Sequence, residues 1–222
     1  MNHDESRSLA AWVESKLLPD LIIYSDSPDD PVVVKYMPEP WILLGTGNYA
    51  AVFANSHDSE WVVKVYAEGR PGLTEEAEVY HKLGIHPAFS ECLGVGHNYL
   101  ILRRLRGITL YDCLLKGIPI PPSVISDVDA ALAYARAKGL NPRDIHGKNI
   151  LNDNGRGSVV DVSDFLLEGP DRLWRDMKRV YQWVYKPLLL KWPIRLPAFL
   201  LEGLRKGYQR IRKQRRNRSI DL

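Results

Sequence analysis

The sequence predicts an α+β fold in which a β-rich first half carrying one helix is followed by a mainly helical second half. Three observations lead there. Between residues 32 and 66, β-branched and aromatic runs alternate with Gly, Asn, Asp and Pro. Leu73 to Leu83 has helical periodicity, and long helix-periodic stretches recur after Pro122. At 222 residues and 45% hydrophobic content, the chain is long enough for one large domain or two closely packed lobes around a buried core.

Taken in order, Leu9, Trp12, Val13, Leu17 and Leu18 fall at roughly helical spacing and end in Pro19-Asp20, which predicts a short N-terminal helix. Beyond the turn-rich Ser25 to Pro31, the runs Val32 to Tyr36, Trp41 to Leu44, Ala50 to Ala54 and Trp61 to Tyr66 read as consecutive antiparallel strands. In the helix that follows, Leu73, Ala77, Tyr80 and Leu83 form one stripe, and Glu75 and Glu76 suit its N-terminal end. Strand-like pieces around Leu93 to Val95 and Tyr99 to Leu102 lead to a helix over Pro122 to Lys138, which Gly139 stops. Past Phe165, Asp171 to Tyr185 and Ala198 to Arg212 are expected to be helical, separated by a Pro-containing break from Lys186 to Pro197.

Composition narrows the class. No run of about 18 uncharged apolar residues occurs, and Met1 is followed by a polar, acidic segment, so a secreted or membrane-spanning protein is not expected. Cys92 and Cys113 have no metal-ligand or disulfide-framework spacing and are expected to be reduced thiols in a cytoplasm. The net charge of +3 is unevenly spread, because from Gly203 to Leu222 eight Lys/Arg stand against the single Asp221. A helix packed on the body and ending in a solvated basic tail is the favoured reading of that end. Contact with an anionic partner or membrane surface is the alternative. No aromatic residues interleave with the terminal arginines, so no specific nucleic-acid contact is predicted.

Several segments carry chemistry. Leu44-Gly45-Thr46-Gly47-Asn48-Tyr49-Ala50-Ala51-Val52 puts a glycine-rich turn between two predicted strands, where missing Cβ atoms let backbone N–H groups approach phosphate oxygens. Alone, a Gly-x-Gly hairpin is more often an ordinary β-turn. Lys64 interrupts the apolar strand Trp61-Val62-Val63-Lys64-Val65-Tyr66. It either lies on a solvent face or points inward to phosphates, held by a carboxylate of the next helix, with Glu76 the candidate and Glu78 behind it. Asp144 and Asn149 form an Asp-x4-Asn arrangement between a helix and a short apolar strand, and Asp161 ends a second apolar strand. Two carboxylates and an amide converging on one site suit phosphoryl transfer, which needs an acceptor-aligning base and oxygen ligands for Mg²⁺.

In this order the segments resemble the eukaryotic-type Ser/Thr protein kinase family, from about Leu43 to Phe165, in a small bacterial or archaeal form. The resemblance implies a bilobal fold with an antiparallel N-lobe and a shortened helical C-lobe. Its expected divisions are an N-terminal extension packed on the N-lobe (1–40), N-lobe and hinge (41–105), C-lobe (106–202) and a basic C-terminal helix or tail (203–222). It further implies that Gly45, Gly47 and Val52 enclose ATP, that Lys64 binds its phosphates while paired with Glu76, and that Tyr99 to Leu105, Arg103 and Leu105 included, form the strand and hinge beside adenine. Asp144 would orient and deprotonate a Ser or Thr hydroxyl of a protein substrate, and Asn149 and Asp161 would hold Mg²⁺.

The departures are Ala50 for the third loop glycine, Pro142 for the His before Arg-Asp, and Asp161-Val162-Ser163 for Asp-Phe-Gly. Asp164-Phe165 is a second candidate for the metal-binding pair, but the apolar Val159-Val160 before Asp161 favours the latter. His146, two after Asp144, also resembles small-molecule kinases of the aminoglycoside and choline type, and the altered glycine loop leaves a pseudokinase binding module as a further alternative. No threonine follows Asp161 and no Ala-Pro-Glu follows Phe165, so control through a phosphorylated activation loop is not expected.

Overall fold

The computed structural model describes residues 3–27, 30–58, 60–169, 172–190, 194–203 and 206–207. The described chain is a mixed α+β structure with antiparallel sheets. Helix α1 (His3–Lys16) is followed by β1 (Ile22–Tyr24) and β2 (Val33–Tyr36), which pair only with each other. The expectation that Val32 to Tyr36 continues directly into the next strands is therefore corrected. Pro38 and Pro40 lie between β2 and its successor, and proline cannot donate to a ladder.

A five-stranded sheet follows, built from β3 (Trp41–Thr46), β4 (Ala50–Asn55), β5 (Trp61–Tyr66), β6 (Cys92–Val95) and β7 (Tyr99–Arg103) in the order β3-β4-β5-β7-β6. Both faces of its central strands are covered, which explains why β4, β5 and β7 are apolar apart from Asn55, Lys64 and Arg103 instead of alternating with polar residues. Ala51, Phe53, Val63, Val65, Tyr99 and Ile101 pack on one side with Val13 and Leu17 of α1. On that side the rings of Trp12, Trp41 and Trp61 lie with centroids 5.0–5.8 Å apart, and the Tyr99 hydroxyl donates to Glu14 at 3.0 Å. Ala50, Ala54, Val62, Tyr66, Leu100 and Leu102 face the other way and join the larger core.

That larger core contains α2 (Leu73–Leu83) and α4 (Pro122–Ala137), each formed where the periodicity predicts. Between them come β8 (Ile108–Thr109) and α3 (Leu110–Lys116), whose N-cap Thr109 accepts from the Asp112 N–H at 3.0 Å. Strands β9 (Ile150–Asp153) and β10 (Arg156–Val159) form a hairpin whose Asn154-Gly155 turn has positive φ at both residues, 50° and 89°. Gly157 of β10 lies so close to α4 that a Cβ would come within 2.4 Å of the Val124 carbonyl oxygen.

Beyond Phe165, α5 (Leu173–Val180) runs directly into a π-helix over Tyr181–Leu189. The predicted break at Lys186 is thus displaced, because the helix passes through Pro187. The reason is the buried pair Tyr181 and Tyr185, stacked at 5.3 Å: Tyr181 donates to the Ile120 carbonyl at 2.9 Å and Tyr185 accepts from the Ile120 N–H at 2.8 Å. A wider i→i+5 winding keeps both tyrosines on the core and carries the helix past the missing proline donor. Residues 198–203 are helical with Leu201 buried. The expected basic tail from 203 to 222, with Leu204, Tyr208 and Ile211 of its apolar side, lies outside the described residues apart from Gly203, Lys206 and Gly207. Both cysteines are free thiols. Among the described residues, no helix is long and apolar enough to cross a membrane.

Candidate active site

Because both faces of the central strands are covered, Lys64 has no solvent face to occupy. It lies on the side of Val62 and Tyr66, toward the larger core, with its side chain 12% exposed. The buried positions of α2 are Glu76, Val79, Tyr80 and Leu83, the i, i+3, i+4, i+7 stripe of an amphipathic helix. The carboxylate of Glu76 is therefore carried into the interior by the helix's own apolar stripe. There its Oε2 accepts from Lys64 Nζ at 2.6 Å and from the Tyr66 hydroxyl, while Oε1 is buried without a hydrogen-bond partner among the described residues. A fully buried carboxylate with one oxygen unsatisfied is poor economy for stability, and such groups concentrate at working sites. Glu78 instead pairs with Lys82 at 2.8 Å on the exposed side of the helix.

On its other side, Lys64 Nζ lies 3.5 Å from Asp161 Oδ1, so Asp161 is the carboxylate against the lysine, whereas Phe165 beside Asp164 is fully buried in the core. Burial works against the ammonium form of Lys64, but the carboxylates of Asp161 and Glu76 outweigh it and hold the lysine above its ordinary pKa. Burial likewise works against ionised Asp161, and Lys64 together with the Ser163 N–H, at 3.1 Å, holds its carboxyl below the ordinary value. Burial first, then Glu76, pushes the Tyr66 phenol up, so it remains a donor.

The segment between α4 and β9 is irregular and pinned at several points. Asn141 N–H donates to the Phe165 carbonyl at 2.8 Å, Asn141 Nδ2 donates to the carbonyls of Leu167 and Gly169, and Ile145 is buried. Arg143 donates through Nη1 to the Glu168 carbonyl. Between these anchors Asp144 adopts a left-handed conformation, φ 52°, with its side chain 44% exposed. Outside glycine this conformation is uncommon and is tolerated best by Asn and Asp. Asn149 Nδ2 donates to the Asp144 carbonyl at 3.2 Å, and the Val160 N–H donates to the Asn149 carbonyl at 3.1 Å. Glu76, Lys64, Asp161, Asn149 and Asp144 are thus joined in one chain of side-chain contacts and short backbone bridges.

His146 Nε2 lies 3.4 Å from Asp144 Oδ2, while its Nδ1 accepts from the Lys148 N–H at 3.2 Å. Lys148 points away, over the Tyr111 ring at 4.6 Å and toward Glu202 at 3.6 Å.

The glycine-rich segment forms the end of β3 and the turn into β4. Val52 pairs with Gly45 on one side and Lys64 on the other, which sets the turn beside the lysine's strand. A Cβ on Gly45 would meet nothing within 4 Å, and one on Gly47 only the Ala50 carbonyl at 3.8 Å, and neither has a positive φ. Nothing among the described residues requires glycine at either position, as expected of a loop shaped for close approach by something else.

Arg103 pairs across the sheet with Trp61, on the face opposite Lys64, and its Nε binds Glu91 at 2.9 Å. The structure therefore does not bring its side chain to the site, and the half-buried Leu105 lies in the connection toward β8. Tyr66 was missed at the sequence level, although its i+2 relation to Lys64 puts it on the same face.

Among the described residues no cluster of three His, Cys, Asp or Glu side chains suits a self-sufficient metal site. One partly exposed, ionised carboxylate and one amide oxygen, from Asp161 and Asn149, match the way Mg²⁺ is held by few protein ligands together with substrate phosphates.

No family model matches the chain. A search of characterised proteins finds similarity to one from Bacillus subtilis (strain 168), bearing the name "Putative serine/threonine-protein kinase YrzF", at 36% identity over 172 residues, which span 76% of this chain and 79% of that protein. With an ordered lysine, glutamate and Asp-x4-Asn set of the kinase kind and a relative of that identity and coverage, the chain belongs to the kinase-like family of this Bacillus protein.

Proposed function

We propose that the chain is an ATP- and Mg²⁺-dependent phosphotransferase of bilobal, protein-kinase-like design, acting on serine or threonine hydroxyls of a protein. The observation that carries this reading is the continuous set Glu76–Lys64–Asp161 and Asn149–Asp144, in which each group has the chemistry its position requires. Lys64, kept charged by two carboxylates, binds phosphate oxygens and is held in place by Glu76 and, through it, by Tyr66. Asp161 and Asn149 supply oxygen ligands, and Mg²⁺, when bound, neutralises charge on the transferring phosphoryl group. Asp144, exposed and aimed by its left-handed backbone, accepts the proton of the acceptor hydroxyl. The Gly45 to Gly47 turn lets backbone N–H groups approach the phosphates.

A second reading, transfer to a small-molecule hydroxyl, draws support from His146 against Asp144. Incubation with γ-labelled ATP and Mg²⁺, with and without a basic protein acceptor, followed by phosphoamino-acid analysis, tests the proposal. Label on serine or threonine is expected. ATP consumption that depends on an added amine or sugar alcohol, with no protein label, would shift the acceptor to the second reading.

A further inference from the structure

Away from the site, the helical run toward the C-terminal end leaves large apolar side chains exposed. Along α5 and the π-helix, Tyr181 and Tyr185 turn inward, while Val180, Trp183, Val184 and Leu188 form a stripe at i, i+3, i+4 and i+8 that faces out. Trp183 is 81% exposed, and the next described stretch adds Phe199 at 79%. A large aromatic left this open on the π-helix packs into no core, and exposed apolar surface of this kind marks a contact site. Basic side chains accompany the stripe along the same helical run: Arg172, Arg175, Arg179 and Lys186 are exposed, and the acid of that run, Asp176, lies against Arg179 at 3.5 Å. Beside Trp183 a cleft of about 320 Å³ is edged by Arg175, Arg179 and the pair of Lys178 with Asp129, 2.7 Å apart. The sequence then continues into eight further Lys/Arg after Gly203.

We propose that this surface seats the protein on an anionic lipid surface. A helix with an exposed aromatic and aliphatic stripe and exposed basic side chains along the same run has the composition of interfacial helices, in which apolar side chains enter the headgroup boundary and cations engage lipid phosphates. The charge pattern selects this occupant over the others. A second copy joined through a two-fold contact would bring the same basic side chains together. A nucleic acid would satisfy the arginines but leave Trp183 and Leu188 without a partner. The inference does not depend on phosphoryl transfer, so either can fail without the other.

The test is co-sedimentation of the full chain with vesicles of phosphatidylcholine alone and of phosphatidylcholine mixed with phosphatidylglycerol. Binding to the mixed vesicles only is expected, weakening as salt rises. Trp183→Ser combined with Leu188→Ser, both exposed and outside the proposed catalytic set, should weaken binding about tenfold or more while leaving the circular dichroism spectrum and phosphotransfer without vesicles unchanged. Lys186→Gln should weaken it about fivefold. Equal binding to both vesicle types, no binding to either, undiminished binding by the double variant, tighter binding to duplex DNA than to mixed vesicles, or self-association abolished by the double variant would each overturn the proposal.

Discussion

Replacing Glu76 with glutamine separates a working ion pair from a structural one. The substitution keeps the side chain's shape and leaves an acceptor for Lys64 Nζ and the Tyr66 hydroxyl, but makes the Tyr66 bond neutral and leaves the Lys64 bond with a charge on its donor alone. At about 1.5–3 kcal/mol for a charged partner against about 0.5–1.5 for a neutral one, the Tyr66 bond loses about 1–1.5 kcal/mol and the Lys64 bond, whose donor stays charged, no more than that, so the loss is about 1–3 in all. Against it stands the desolvation of a fully buried carboxylate, several kcal/mol, which the amide no longer incurs. The amide nitrogen takes the position of Oε1, already without a hydrogen-bond partner among the described residues, so that penalty carries over. Lys64 keeps Asp161 at 3.5 Å. Net stability should therefore change by no more than about 1 kcal/mol, while kcat/KM falls by about 10²-fold because the lysine has lost its anchor. Urea denaturation and steady-state phosphotransfer on the same preparation measure the two. Destabilisation by more than about 3 kcal/mol with full activity per folded molecule would refute the reasoning and make the pair structural.

Further predictions follow from the same geometry. Gly45→Ala should leave stability within about 0.5 kcal/mol, since its Cβ meets open space, yet weaken nucleotide binding measured by calorimetry. Gly157→Ala should cost about 1–3 kcal/mol in chemical denaturation, because its Cβ would lie 2.4 Å from the Val124 carbonyl oxygen. Asp161, whose folded pKa is lowered, contributes stability present above its unfolded value near 4 and lost as pH falls through the lower folded value. Lys64, whose folded pKa is raised, contributes stability present below about 10.4 and lost as pH rises through the higher folded value. The stability difference between wild type and Lys64→Met, followed by denaturation, should accordingly be flat from about pH 5 to 9, and a transition near pH 7 would contradict the assignment.

What could be read from the sequence was what periodicity and punctuation encode. Helix α2 and strands β4 and β5 lie where their apolar patterns place them, because Gly, Asn and Asp interrupt the strands and a single 3.6-residue stripe marks the helix. Pairing was less legible: β2 joins β1, a three-residue strand too short to stand out from its surroundings. The π-helix through Pro187 ran against a rule that proline ends helices, and two tyrosine hydroxyls on Ile120 outweighed it. Helix α3 went unrecognised although Thr109 and Asp112 carry a capping signal at its start.

For the site, the order of Lys64, Glu76, Asp144, Asn149 and Asp161 was visible, but the direction of Lys64 was not. A strand reading Trp-Val-Val-Lys-Val-Tyr has no polar alternation to orient it, and only the packing of α1 against the far side resolves the ambiguity. The left-handed backbone of Asp144 and the partnership of Tyr66 with Glu76 are likewise products of tertiary structure.

The central claim is most directly tested by measuring MgATP binding and phosphoryl transfer side by side in the wild type and in Asp144→Ala. The account predicts nucleotide affinity within about twofold of wild type in the variant and transfer reduced by about 10²-fold to 10⁴-fold, since Asp144 acts on the acceptor and not on ATP. Undiminished transfer by Asp144→Ala would contradict it.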